Sequence, residues 1–284
     1  MHTQADIRSV AAQMKAAQDE VRQIRPFTSE PGAFDISSAY KVSHLIHEAR
    51  LAEGFVPVGR KIGFTNPEMW SLYGVREPIW GHMYDKTVVN LSGRHSTCSL
   101  GRFAEPKIEP EIVFHFRSAP PVTGDLSAIL ECIDWVAHGF EIVQSHFPGW
   151  KFQAPDTIAD GGLHGTLLLG EPQAVARLEP DLVAALESFS IDLFCDGDVR
   201  AAGKGRNVLG SPLAAVAHLI AVLAKQPQYM PLQANEMVTT GTVTAAQVVR
   251  CGETWRTEIA GIALPGLSVS FSDQEYPSGQ GRPP

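Results

Sequence analysis

The chain is poor in cysteine and in runs of one charge, and both scarcities exclude functions. Cys98, Cys132, Cys195 and Cys251 are the only cysteines in 284 residues, widely spaced and never paired as CxxC. That rules out a zinc ribbon and a dense disulfide framework, and it suits a reducing cytoplasm. No basic run reaches five residues, and the net charge is −8 with a pI of about 5.7, so nucleic acid is not an expected partner. No apolar run of about 18 residues stands out, so no membrane is expected. The N-terminus MHTQADIRSV lacks the apolar core of a secretion peptide. There is no GxGxxG and no βαβ rhythm, which argues against a Rossmann domain. GKGRNVLGSP is rich in glycine but lacks the order of a phosphate loop.

What is present describes an ordinary globule, 44% hydrophobic and 19% charged. Ile7, Val10, Met14, Ala17, Val21 and Ile24 recur at helical spacing and predict a helix over 4–25, stopped by Pro26. A second helix begins at Asp35 or Ser37 and runs to about Glu53. Residues 55–64 read as a strand carrying Lys61, and Thr65-Asn66-Pro67 as the start of a short helix. Asp125 caps a helix whose apolar face reaches Val136 and which closes at Gly139, before a strand over Phe140 to Ser145. The segment 146–165 reads as a long irregular loop, and 211–225 as an apolar helix. Strands fill the chain after Pro231, and DQEYPSGQGRPP is a loose tail. The sum is an α+β protein with a predominantly antiparallel or mixed sheet and helices concentrated in the first half.

The most informative stretch is EPKIEPEIVFHF, Glu105 to Phe116. Read as a strand, it turns Glu109, Glu111, Val113 and His115 to one face and Ile108, Pro110, Ile112, Phe114 and Phe116 to the other. Two glutamates at i and i+2 sit roughly 7 Å apart, close enough to converge on one hard cation. The same pattern fits a half-buried strand with a solvated acidic face. Pro106 and Pro110 suggest an edge or bulged strand, and Glu141 on the next strand is a third candidate carboxylate.

Several motifs occur together and in order: VGRKIGFTNPEM, KIEPEIVF, FEIVQS, IADGGLHG followed by LLLG, and LGSPLAAVAHL. Together they resemble the 2-keto-4-pentenoate hydratase branch of the fumarylacetoacetate hydrolase superfamily, over about residues 35 to 271. The resemblance implies a mixed β-roll or β-sandwich core with flanking helices, as a cap over 1–75, a catalytic core over 76–273 and a tail over 274–284. It implies Mg²⁺ or Mn²⁺ held at Glu109, Glu111 and Glu141, with Lys61 pointing into the site to neutralise a substrate carboxylate or relay a proton. The implied reaction is hydration of a 2-hydroxydienoate to a 4-hydroxy-2-oxo acid in aromatic-compound breakdown. Decarboxylation of a 2-oxo diacid and hydrolysis of an acylpyruvate are related alternatives. A homo-oligomer is implied, and a complex with a related pathway enzyme, or a non-catalytic assembly role, is compatible with it. Two positions depart from the family pattern. Ile79 stands where the branch carries an aspartate, and the loop from Ala159 to Gly165 lacks the family's asparagine and serines. His164 and His82 are then the available acids or bases, Asp160 is a substrate contact, and Ile79 with Trp80 makes the pocket more apolar.

Overall fold

The computed structural model describes residues 4–29, 34–67, 70, 75, 77–91, 93 and 95–273. The short helix expected from Pro67 to Gly74 falls largely outside these residues, as does the tail from 274 onward. Helix α1 (Gln4–Asp19) ends before Pro26, because the chain turns at Val21 (φ 50°) and the Ile24 N–H donates to His146 O at 2.7 Å. Helix α2 (Ile36–Ala52) is capped as expected, with the Asp35 carboxylate accepting the Ser38 N–H at 2.7 Å.

The described strands are β1 (Pro57–Gly63), β2 (Ile79–Tyr84), β3 (Val88–Asn90), β4 (His95–Ser99), β5 (Lys107–Phe116), β6 (Ile133–Val143), β7 (His164–Leu169) and β8 (Gln173–Ala174), then β9 (Ser190–Cys195), β10 (Asp198–Lys204), β11 (Met237–Thr242), β12 (Gln247–Val248), β13 (Thr254–Ala260) and β14 (Ser268–Ser272). Among the described residues they form two sheets. The larger runs β2-β1-β11-β5-β6-β7-β3, with β12 on β5 and β8 on β6; the smaller runs β10-β9-β13-β14-β4. Both are mixed, since β1 runs parallel to β11, β3 to β7 and β14 to β4. The Asp196-Gly197 turn joins β9 to β10 with both residues at positive φ (51° and 94°), the geometry of a two-residue hairpin.

Four local expectations are corrected. Strand β5 is central, between β11 and β6, and both its faces are buried. Of Pro106 and Pro110 only Pro110 lies within the strand; it sits beside the bulge of β11 between Thr239 and Thr242, where the Val243 N–H donates to Pro110 O at 3.0 Å. The helix capped by Asp125 stops at Leu130, and the alternating apolar residues from Ile133 continue as the long strand β6, so Glu141 sits well inside a strand. Strand β1 lies within 1–75 yet pairs with β2 and β11, so the helical layer ends at Ala52 and the sheet begins soon after. The segment Gly205–Ala224 is long and apolar enough by composition to cross a membrane. Only Pro212–Ala224 is α-helix, about 20 Å long against a bilayer core of about 30 Å, and Leu213, Val216, Leu219 and Ile220 are buried in the core.

Candidate metal centre

The centre follows from register. β5 and β6 pair antiparallel with Glu109 directly opposite Glu141, so the two side chains share a face, and Glu111 follows two residues on. One oxygen from each of the three carboxylates lies within 4.8 Å of the others. Glu111 and Glu141 are 0% exposed, while Glu109 opens onto a cavity. The hydrogen-bond supply to this cluster is incomplete. Glu111 Oε2 accepts the Gly241 N–H at 2.9 Å, and Glu141 Oε1 accepts from His164 Nδ1 at 2.7 Å. Glu111 Oε1 has no donor, and Glu141 Oε2 lies 3.1 Å from Lys61 Nζ without hydrogen-bond alignment. Buried, underpartnered carboxylate oxygens facing one another are costly unless a cation joins them. All-oxygen donors suit a hard divalent ion, so the residues present fit the cation the resemblance implies.

Glycines allow the close approaches. Gly162 has φ +73°, and a Cβ there would lie 2.8 Å from Lys61 Cδ; its carbonyl accepts from Lys61 Nζ at 2.9 Å. Gly241 has φ +90°, and a Cβ there would meet Thr65 Oγ1 at 2.0 Å.

The electrostatics point the same way. Burial raises Glu109 to about 7, with repulsion from Glu141 adding and attraction from Lys61 and Lys107 opposing. Burial and Glu141 hold Glu111 well above the carboxylate range. Burial also pushes Glu141 up, but Lys61 and His164 outweigh it and bring it down to about 2. Lys61 is held above the ordinary lysine value. Burial lowers it, but Glu141, Glu109 and Glu111 together raise it, so its amine stays an ammonium.

Strand alternation sorts the remaining candidates. On β2, Gly81 pairs with Lys61 and Ile79 with Gly63, so Ile79 shares the face of Lys61 and lines the cavity. Trp80 pairs with Ile62 and His82 with Arg60, which sends both to the opposite face. Trp80 is 2% exposed, stacks on Tyr40 and donates to Gln226 Oε1 at 3.1 Å; it is not among the described residues lining the main cavity. His82 stacks on His47 at 3.7 Å between centroids and lines a second cavity, whose lining includes none of the three glutamates. Asp160 is spent on His146 Nδ1 (2.8 Å) and Gln18 Nε2 (3.1 Å) and also borders that second cavity. His164 backs Glu141 from outside the main cavity, its Nε2 2.9 Å from Thr87 Oγ1, and with Thr87 it lines the second cavity.

The main cavity also takes in Lys107, Trp150, Phe152, Thr242 and Thr244, none singled out from sequence. Lys107 could have been found there, because it lies at i−2 from Glu109 on the same strand face.

Fold and centre define a class: a mixed-sheet protein with three strand carboxylates, two buried and one opening onto a cavity, and a buried lysine beside them, a donor set that suits a divalent cation. No family model matches the chain. It is 31% identical to 2-keto-4-pentenoate hydratase 2 of Dechloromonas aromatica (strain RCB) over 265 residues, covering 93% of this chain and 97% of that protein. It is 34% identical over 200 residues to 2-hydroxypent-2,4-dienoate hydratase of Pseudomonas putida, covering 69% and 86% respectively. In three dimensions it is similar to 4-oxalocrotonate decarboxylase from Pseudomonas putida G7, complexed with magnesium and adipate, with a TM-score of 0.85, 26% identity and coverage of 95% and 99%. The chain belongs to the 2-keto-4-pentenoate hydratase family.

Proposed function

We propose that the chain is a divalent-metal-dependent hydratase, a lyase that adds water to a 2-hydroxydienoate, or its 2-oxo-enoate tautomer, to give a 4-hydroxy-2-oxo acid in aromatic-compound breakdown. The observation that carries this reading is the convergence of Glu109, Glu111 and Glu141, with underpartnered oxygens, beneath a cavity flanked by Lys61. The names of the relatives support the substrate class, and the magnesium in the related decarboxylase supports Mg²⁺ as the ion.

In this reading Glu109, Glu111 and Glu141 would hold the ion, which would supply Lewis-acid polarisation when bound. Lys61, held as an ammonium by three carboxylates and aimed by Gly162 O, gives fixed positive charge for the substrate carboxylate and a proton to donate. His164 and Thr87 fix the rotamer of Glu141 from behind. Ile79, Leu163 and Phe152 give the hydrocarbon chain an apolar wall.

A second reading, decarboxylation of a 2-oxo diacid, is favoured by the structural similarity to a decarboxylase. Hydrolysis of an acylpyruvate is disfavoured, because no histidine is among the described residues lining the main cavity. The test is ultraviolet decay of 2-hydroxypenta-2,4-dienoate with Mg²⁺, with product identification. A 4-hydroxy-2-oxo acid supports the hydratase; CO₂ evolved from a 2-oxo diacid supports the second reading. No turnover of either, with tight association to another enzyme, supports an assembly role.

A further inference from the structure

Two lysines, Lys61 and Lys107, line the main cavity, together with apolar side chains and with Thr65, Asn66, Thr242 and Thr244. Lys61 is buried, 3% exposed, against Glu141 and Gly162. Lys107 lies on the same face of β5 as Glu109 and Glu111. One strand repeat, roughly 7 Å, separates it from Glu109 along the backbone. Ile79, Val143, Leu163 and Phe152 line the cavity as well, and they offer a ligand nothing polar.

Lys107 is held in place. Its Nζ sits 3.7 Å from the centroid of the Trp150 ring, a cation–π contact. The Trp150 loop is fastened to the start of β5. Trp150 Nε1–H donates to Glu105 O at 3.0 Å, and the Gly149 N–H donates to the Glu105 carboxylate at 3.0 Å. Trp150 itself is in left-handed backbone at φ 59°, so the ring is kept over the lysine at some conformational cost. Among the described residues, Lys107 makes no ion pair with a carboxylate. Glu109 and Glu105 attract it without forming an ion pair, so a half-buried ammonium resting on an aromatic ring and facing a cavity still accommodates a closer partner, and the partner it fits is an anion.

We infer that Lys107 receives a second carboxylate at the far end of the substrate, so the preferred substrates are 2-oxo or 2-hydroxydienoic diacids rather than monoacids. This rests on the proposed function, which places the 2-oxo acid end at the three glutamates. A linear diacid would place its chelating head at the carboxylate cluster, its hydrocarbon chain against Ile79, Leu163 and Phe152, and its anionic tail at Lys107.

The test compares two inert ligands of equal length, 2-oxohexanedioate and 2-oxohexanoate, titrated calorimetrically into the Mg²⁺-loaded full chain, its Lys107→Met variant and its Lys107→Arg variant. The expected result is at least tenfold tighter binding of the diacid to the wild type, parity between the ligands in Lys107→Met, and retained preference in Lys107→Arg. Equal affinities in the wild type, a preference that survives Lys107→Met, or a loss in Lys107→Met equal for both ligands each overturns the inference and leaves the 2-oxo acid site standing. Binding of neither ligand overturns the functional reading and this inference with it.

Discussion

Replacing Glu109 by glutamine should make the metal-free protein more stable and the metal-loaded protein less so. Glu109 is raised from 4.5 to about 7, first by burial and then by Glu141. Its folded value exceeds its unfolded value, so ionising it opposes folding. The penalty is absent below about pH 4.5, grows between about 4.5 and 7, and is complete above 7. That shift corresponds to about 3 kcal/mol, and access to solvent through the cavity discounts it to about 2 kcal/mol. Glutamine keeps the shape and removes the charge. At pH 8 in EDTA the variant should therefore melt about 4 °C above wild type, and at pH 5 most of that advantage should vanish. The buried histidines His47 and His138, both lowered to about 4 chiefly by burial, titrate alike in the two proteins and cancel in the difference. With Mg²⁺ at about 100 times its dissociation constant, wild type should gain about 2.7 kcal/mol and the variant little, so the order inverts. Melting followed by circular dichroism, with EDTA and with Mg²⁺ at both pH values, measures all four terms. A variant no more stable than wild type at pH 8 in EDTA, or one stabilised by Mg²⁺ as strongly as wild type, refutes the reasoning.

Lys61→Met should lower kcat by at least about 10²-fold, and it should destabilise the metal-free protein more than the Mg²⁺-loaded one, because the carboxylates then lose their buried cation. Steady-state kinetics and melts in both states check this, and equal destabilisation in both contradicts it. His164→Ala should weaken Mn²⁺ binding by about 10- to 100-fold, as loss of a group orienting a ligand does, whereas His164→Gln should recover part of it; calorimetry with Mn²⁺ decides. His82→Asn should leave kcat within about threefold of wild type, since His82 projects from the face of β2 opposite Lys61 and proton transfer of this kind is worth about 10² or more. A fall of that size would restore His82 to the site.

The carboxylate pair was legible because strand alternation is a local rule: Glu109 and Glu111 had to share a face once β5 was read as a strand. Their union with Glu141 depends on the β5/β6 register, which no spacing encodes; the resemblance to a family supplied it. The same alternation, applied along IWGHMY, separates Ile79 from Trp80 and His82, and grouping these three in one pocket ignored it. The boundary near residue 133 was misplaced because Ile129, Ile133 and Val136 fit helical spacing while Ile133, Val136 and Ala137 bury equally well in a strand covered on both faces. The central place of β5 is masked by Pro106 and Pro110, of which only Pro110 enters the strand, beside a bulge on a strand more than a hundred residues later. Lys107 was passed over because an isolated lysine beside a turn resembles a solvated one until the Trp150 loop is seen to fold over it.

The most direct measurement is titration of the metal-free chain with Mn²⁺, followed by electron paramagnetic resonance, for wild type and a Glu111→Gln, Glu141→Gln double variant. One Mn²⁺ per wild-type chain, displaced by Mg²⁺ and absent from a folded double variant, is expected. A wild type that binds no Mn²⁺, or a double variant that binds it as tightly, contradicts a metal centre at these three glutamates.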